Sequence, residues 1–137
     1  MIFVDSNLWL YIYLIDQDRS KRDTILARLV PIDDVAISTQ VLIEVGANLI
    51  KKARASEARV LDVIQEMERE CRLHVVRGST LIDASRLRSA GSYSYWDSLI
   101  IAAALESGCD QLWSEDLQHG QVVDGRLHIV NPLLPAV

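Results

Sequence analysis

Four acids mark the places where this chain can do chemistry. Asp5 ends the apolar run "MIFVD", Glu44 sits inside "QVLIEVGANLIKK", Asp97 opens "WDSLIIAAAL", and Asp116 follows "QLWS". Carboxylates gathered at one place repel one another; like charges about 4 Å apart cost on the order of 4 kcal/mol at a surface-like dielectric. Such a group needs a metal, a shared proton or a basic partner. Oxygen donors with no His or Cys near them in sequence suit a hard ion, Mg²⁺ or Mn²⁺, rather than zinc. The chemistry then expected is displacement at phosphate, with the ion activating water and neutralising charge in the transition state.

Each acid also has a plain structural reading. Asp97 lies three residues after Ser94, a spacing close to a capping box, and a negative charge in a first helical turn is favoured by the helix dipole. Asp5 can start a turn, although Ser6 or Asn7 can cap the next helix and leave it free. Asp116 can cap the turn "DLQHG". Glu44 falls with Gln40, Asn48 and Lys51 on one polar stripe at helical spacing, the pattern of a solvated helix face or of a cleft wall.

The elements that must position these acids follow from the apolar pattern. "MIFVD", "VAIS", "LHVV", "QLWS" and "LHIV" read as five short buried strands. Between them, helices are expected over "SNLWLYIYLI", residues 20–30, 40–53, 57–71 and 80–88, and through "SYSYWDSLIIAAALESG", which ends at Gly108 as C-cap. Strands alternating with helices predict an α/β fold, one domain over residues 1–137, built as a three-layer sandwich around a mostly parallel central sheet. In such sheets ligands bind beyond the carboxyl ends of the strands, so Asp5 and Asp116 at strand ends and Asp97 at a helix start can share one rim.

The remaining composition narrows the class. The 137 residues are half apolar and a quarter charged, as in an ordinary soluble globular protein. The apolar runs fall well short of the roughly 20 residues of a membrane span, and no basic secretory segment opens the chain, so a cytoplasmic protein with no membrane partner is expected. Cys71 and Cys109 stand apart and read as two buried thiols. A net charge of −5 argues against nucleic-acid binding by the surface as a whole. The cations are nevertheless crowded, with Lys51, Lys52, Arg54 and Arg59 in one group and Arg69, Arg72, Arg77, Arg86 and Arg88 through the middle third. They form either a phosphate-facing patch or solvated helix faces. Trp9, Tyr11 and Tyr13 belong either to the core or to a partner groove.

In order and surroundings, "FVDSN", "LIEVGANL", "YWDSLIIAAA" and "LWSEDLQHG" resemble the PIN-domain family, in particular the VapC-like toxins of type II toxin–antitoxin systems. The motifs span nearly the whole chain, and their ordered combination is more specific than any one of them. The resemblance implies that Asp5, Glu44, Asp97 and Asp116 surround one or two divalent ions, with Asn7 and Ser114 as supporting polar residues. It also implies an Mg²⁺-dependent endoribonuclease acting on RNA such as tRNA or rRNA, a homodimer, and a small cognate antitoxin covering the active site. Glu115 fits the pattern less well than its neighbour Asp116, and no RNA contact can be carried to the Arg-rich middle. The general base is unassigned.

Two other classes fit the acids less well. A Mg²⁺-binding receiver domain needs paired acids after its first strand, an Asp after its third and a late Lys; "FVDSN" has one acid, "LHVVRGS" has none, and no Lys follows Lys52. A PIN-like scaffold that binds RNA or protein without cutting is the other, and the presence of all four acids weighs against it.

Overall fold

The structure, a computed structural model, describes residues 1–14 and 17–135. In chain order the elements are β1 (Ile2–Val4), α1 (Ser6–Tyr13), α2 (Arg19–Leu29), β2 (Val35–Ser38), α3 (Thr39–Ala53), α4 (Glu57–Glu70), β3 (Arg72–His74), α5 (Gly78–Ala90), α6 (Tyr95–Glu106), β4 (Gln111–Trp113), β5 (Val122–Val123) and β6 (Leu127–Val130). The strands form one sheet in the order β3-β2-β1-β4-β6-β5, parallel throughout except for the β5–β6 pair. This is the expected α/β architecture.

The strand order reverses at β1. Phe3 pairs with Ala36 of β2 on one side and Leu112 of β4 on the other. Connections leave β1 and β2 in one direction and return from β3 in the other, and right-handed crossovers therefore place α1–α4 against one face and α5–α6 against the opposite one. The packing agrees: α1 lies against α2 and α3, α3 against α4, and α5 pairs with α6. Both faces are covered, which is why the central strands are apolar without alternation. Phe3, Val4, Ile37, Leu112 and Ile129 are fully or almost fully buried.

Helix α6 is the centre of the core. Residues 98–105 are all buried, so the run in "DSLIIAAALE" that is apolar on every side is enclosed on every side. The helix starts at Ser94, whose hydroxyl accepts the Asp97 N–H at 3.1 Å. It closes at Ser107, with Gly108 one residue beyond at φ +76°, donating to the Leu105 carbonyl. At its far end Glu106 accepts from Ser79 and Thr80 and pairs with His74, which joins β3, α5 and α6 through one carboxylate.

Five expectations are corrected. Helix α1 is capped by Asp5 itself, through the Ser6 N–H at 2.7 Å, rather than by Ser6 or Asn7. The expected run to Ile15 ends at Tyr13, and residue 15 lies outside the described residues. Strand β3 is shifted back to Arg72–His74, because the Val76 N–H turns to the Thr39 hydroxyl and Val75 faces solvent. The sixth strand, β5, was not anticipated; Asp124 and Gly125 at φ +52° and +67° form a tight reversal that folds Val122–Val123 back onto β6. The thiols differ from each other, since Cys109 is buried but Cys71 is only partly so. Burial pushes them up to about 11 and about 12, respectively.

Because Ile101 is fully enclosed, Ile101→Ala is expected to cost about 3 kcal/mol in urea unfolding. A cost under about 1 kcal/mol would show that α6 is not the packed centre.

Candidate active site

The site is built where β1 and β4 end side by side. The Asp5 N–H continues the ladder to the Trp113 carbonyl at 3.0 Å, so the residues after each strand are forced next to one another. Asp5 is only 6% exposed and Ser114 is fully buried. One carboxylate oxygen of Asp5 accepts the Ser6 N–H and, at 3.3 Å, the Ser6 hydroxyl; the other accepts the Ser114 hydroxyl at 2.9 Å. Ser114 in turn accepts the Asp116 N–H at 3.2 Å, which sets the start of the loop carrying Asp116.

Ser6 reaches a second acid as well. Its hydroxyl lies 3.2 Å from Glu44 Oε1, so one serine joins the end of β1 to the second turn of α3. On that stripe Asn48 donates to the Glu44 carbonyl at 2.8 Å, and Gln40 donates to the Trp96 carbonyl at 3.2 Å. The polar stripe of α3 is thus a wall against α1 and α6 rather than a wholly solvated face. Gln40 Oε1 is buried there with no partner among the described residues. Asn7 closes the other side by donating to Asp116 Oδ2. Asp97 stands in the first turn of α6, half-buried, its backbone held by Ser94.

The electrostatics make these four acids one group. Burial raises the Asp5 carboxyl above the usual range; Ser114 and Ser6 oppose this, and the charges of Asp116 and Asp97 add to it. Glu44 is raised by burial and by Asp5 and Asp97, against Ser6 and Gln40. Asp116 is raised by burial, Asp97 and Glu115, against Asn7. Every group that pulls the three back down is a hydroxyl or an amide, and none carries a charge. The neighbouring Lys21 is spent on Glu115 at 3.0 Å and on the Tyr11 hydroxyl, itself bonded to Glu115.

A hard divalent cation fits this donor set, since it offers carboxylate, hydroxyl and amide oxygens and lacks any internal counter-charge. Among the described residues no three His, Cys, Asp or Glu side chains are gathered closely enough to hold a metal ion between them. Sequence reasoning missed Ser6 as the hydroxyl between two acids and Gln40 beside Glu44. Ser6 stands between Asp5 and Asn7 and Gln40 between Thr39 and Val41, and their only visible signal was a cap or a helix-stripe position.

A family model described as PIN domain matches residues 2–124. The chain belongs to the PIN-domain family. No curated protein matches it by sequence. Among solved structures, it is similar to the Mycobacterium tuberculosis VapC20 toxin, described as cleaving the sarcin-ricin loop. That match has 21% identity and a TM-score of 0.65, over 85% of this chain and 92% of that one. A toxin–antitoxin complex from Klebsiella pneumoniae matches with 17% identity and a TM-score of 0.69, over 96% and 98% of the two chains. FitAcB from Neisseria gonorrhoeae matches with 15% identity and a TM-score of 0.67, over the same shares. At these identities the likeness is one of fold.

The raised acids carry a pH signature. A carboxyl whose folded pKa lies above its unfolded value weakens the fold once it is charged; that penalty is absent below the unfolded pKa and complete above the folded one. Glu44→Gln is therefore expected to melt higher than wild type in EDTA at pH 7.5, with the gap closing towards pH 4. A gap independent of pH, read by differential scanning calorimetry, would contradict the repulsion.

Proposed function

We propose that this PIN-domain protein is an Mg²⁺-dependent endoribonuclease, a VapC-like toxin held in check by a small antitoxin. The observation that carries the reading is the meeting of Asp5, Glu44, Asp97 and Asp116 at the switch point of the sheet, mutually repelling and with no cation of their own. Mg²⁺ is the reading's ion, with Mn²⁺ as substitute. When bound, it supplies an activated water and charge neutralisation at the phosphate.

The chain's own residues hold and orient. Asp5, Glu44, Asp97 and Asp116 are the oxygen donors, and Asp5 is fixed most firmly because Ser6 and Ser114 occupy both of its oxygens. Asn7 restrains Asp116 on the loop side of the rim, and Ser114 aligns the loop that bears it. On the α3 stripe Lys51 follows Glu44 by two turns, about 10 Å along the helix, and is exposed. That is where an RNA backbone leaving the acids meets positive charge. Elsewhere Arg72 is paired with Asp34, Arg86 with Asp124, and Arg88 with the Ser98 hydroxyl and the Tyr95 ring. The neighbour solved as a toxin–antitoxin complex supports an antitoxin partner.

A homodimer belongs to the same proposal. Ile43 and Trp96 are 70% and 62% exposed and share a cleft of about 470 Å³ with Leu81 and Tyr95. The patch spans α3, α5 and α6, and contiguous exposed apolar surface of this kind marks an association face. Trp9, by contrast, is core, with its indole N–H on the Val4 carbonyl. Among the described residues no helix is long and apolar enough to cross a membrane.

The decisive assay incubates the purified protein with total RNA and Mg²⁺, with and without EDTA, beside Asp97→Asn. Cleavage is expected to stop with EDTA and to fall on the order of a hundredfold or more in the variant. Cleavage indifferent to both would sink the mechanism; a folded wild type that cuts nothing on a broad panel favours the binding scaffold. For the dimer, Trp96→Glu is expected to elute as a monomer in size exclusion with light scattering. An unchanged mass would remove that face from the interface.

A further inference from the structure

We propose that the polar cleft beside Asp97 and Asp116 seats one nucleobase of the RNA, adjoining the phosphate to be cut. This rests on the ribonuclease reading and adds to it the part of the substrate that is recognised. The cleft, of about 410 Å³, lies between the α5–α6 connection and the segment after β4. That size is near the small end of ligand sites, enough for one nucleotide unit. Among the described residues the two acids supply the only charges in its wall, and the rest is neutral, including Ser92, Tyr93, Gln118 and Gln121. With no cation lining it, the cleft suits an uncharged planar group with its own donors and acceptors better than a phosphate.

Tyr93 is built to be the stacking face. Its hydroxyl is held by the Gln121 side-chain amide at 2.6 Å. Gln121 is itself fixed by backbone bonds, its N–H to the Gln118 carbonyl at 3.3 Å and its carbonyl from the Ile129 N–H at 2.9 Å. On the other side the ring packs so closely on Gly91 that a Cβ there would lie 2.9 Å from the ring carbon Cε2. Gly91 has φ −140° and ψ −168°, extended backbone open to any residue, so the glycine is required for space and not for conformation. A ring locked from both ends loses little freedom when a base stacks on it. The amides of Gln118 and Gln121 offer donors and acceptors to a base edge, the means by which unpaired RNA bases are told apart.

The test measures binding apart from cutting. Fluorescence anisotropy with labelled hexanucleotides of A, C, G or U is run on the full chain, with Ca²⁺ replacing Mg²⁺ and intact oligonucleotide confirmed on a gel. Wild type is expected to rank the four bases. Tyr93→Ala should weaken the tightest by about tenfold and flatten the ranking, while Tyr93→Phe stays within about twofold. Circular dichroism establishes that each variant is folded. A wild type that binds none or ranks none, or a Tyr93→Ala protein that binds as wild type does, overturns the base site. The same preparations are then given total RNA and Mg²⁺. Cleavage with no Tyr93 effect removes the base site and leaves the ribonuclease standing; a Tyr93 effect on binding without cleavage does the reverse.

Discussion

Asp5 stands almost out of reach of water at the end of a central strand, and a carboxylate in that position must be held by donors or lose its charge. Much of the rim is arranged to hold it. The backbone that turns from β1 into α1 offers the Ser6 N–H, and the end of β4 offers the Ser114 hydroxyl, which arrives because β1 and β4 are parallel neighbours in register. The topology that reverses strand order at β1 thus does more than close a sheet. It brings a helix start and a strand end to the same acid, and Ser6 passes the connection on to Glu44 of α3.

What the donors do not supply is positive charge. Hydroxyls and amides soften the repulsion among the four acids without cancelling it, while Lys21 at the flank is committed to Glu115 and Tyr11. A protein selected for stability alone has cheaper residues for this rim. The retained repulsion is the kind of local cost that functional sites carry and the remaining core offsets, here chiefly through α6. Its buried stretch anchors the helix from Ser98 onward and leaves the first turn, with Asp97, at the rim.

Periodicity made the architecture readable because most elements were long or strongly apolar. Five of the six strands and the run of helices follow from hydrophobic pattern, and Ser94 as the cap of α6 follows from spacing. β5 escaped because two residues, one of them exposed, carry no pattern; the "DG" turn after it was the available signal. Asp5 was misread as free of capping duty because a chain read in order shows Ser6 and Asn7 as better caps. Only the fold reveals that Asn7 is needed by Asp116 and Ser6 by Glu44. The acids themselves were nameable from family motifs, whereas Tyr93, Gln121 and Gln40 act through partners distant in sequence, which no local pattern encodes.

The two clefts that flank the acids differ in the chemistry of their walls. On the Glu44 side the wall is apolar and broad, with Ile43, Leu81, Tyr95 and Trp96 exposed to an extent that water does not favour, and burial against another surface relieves that cost. On the Asp116 side the wall is polar and, apart from Asp97 and Asp116, neutral, with its one aromatic ring already fixed in place by Gln121 and Gly91. A surface meant for a permanent partner gains from apolar area, while a surface meant for a substrate that must leave gains from polar groups whose solvation is nearly recovered on release. Glu44 and Asp116 lie at opposite edges of one charged centre. The same four carboxylates therefore stand between a face suited to assembly and a face suited to turnover, and occupancy of one need not obstruct the other.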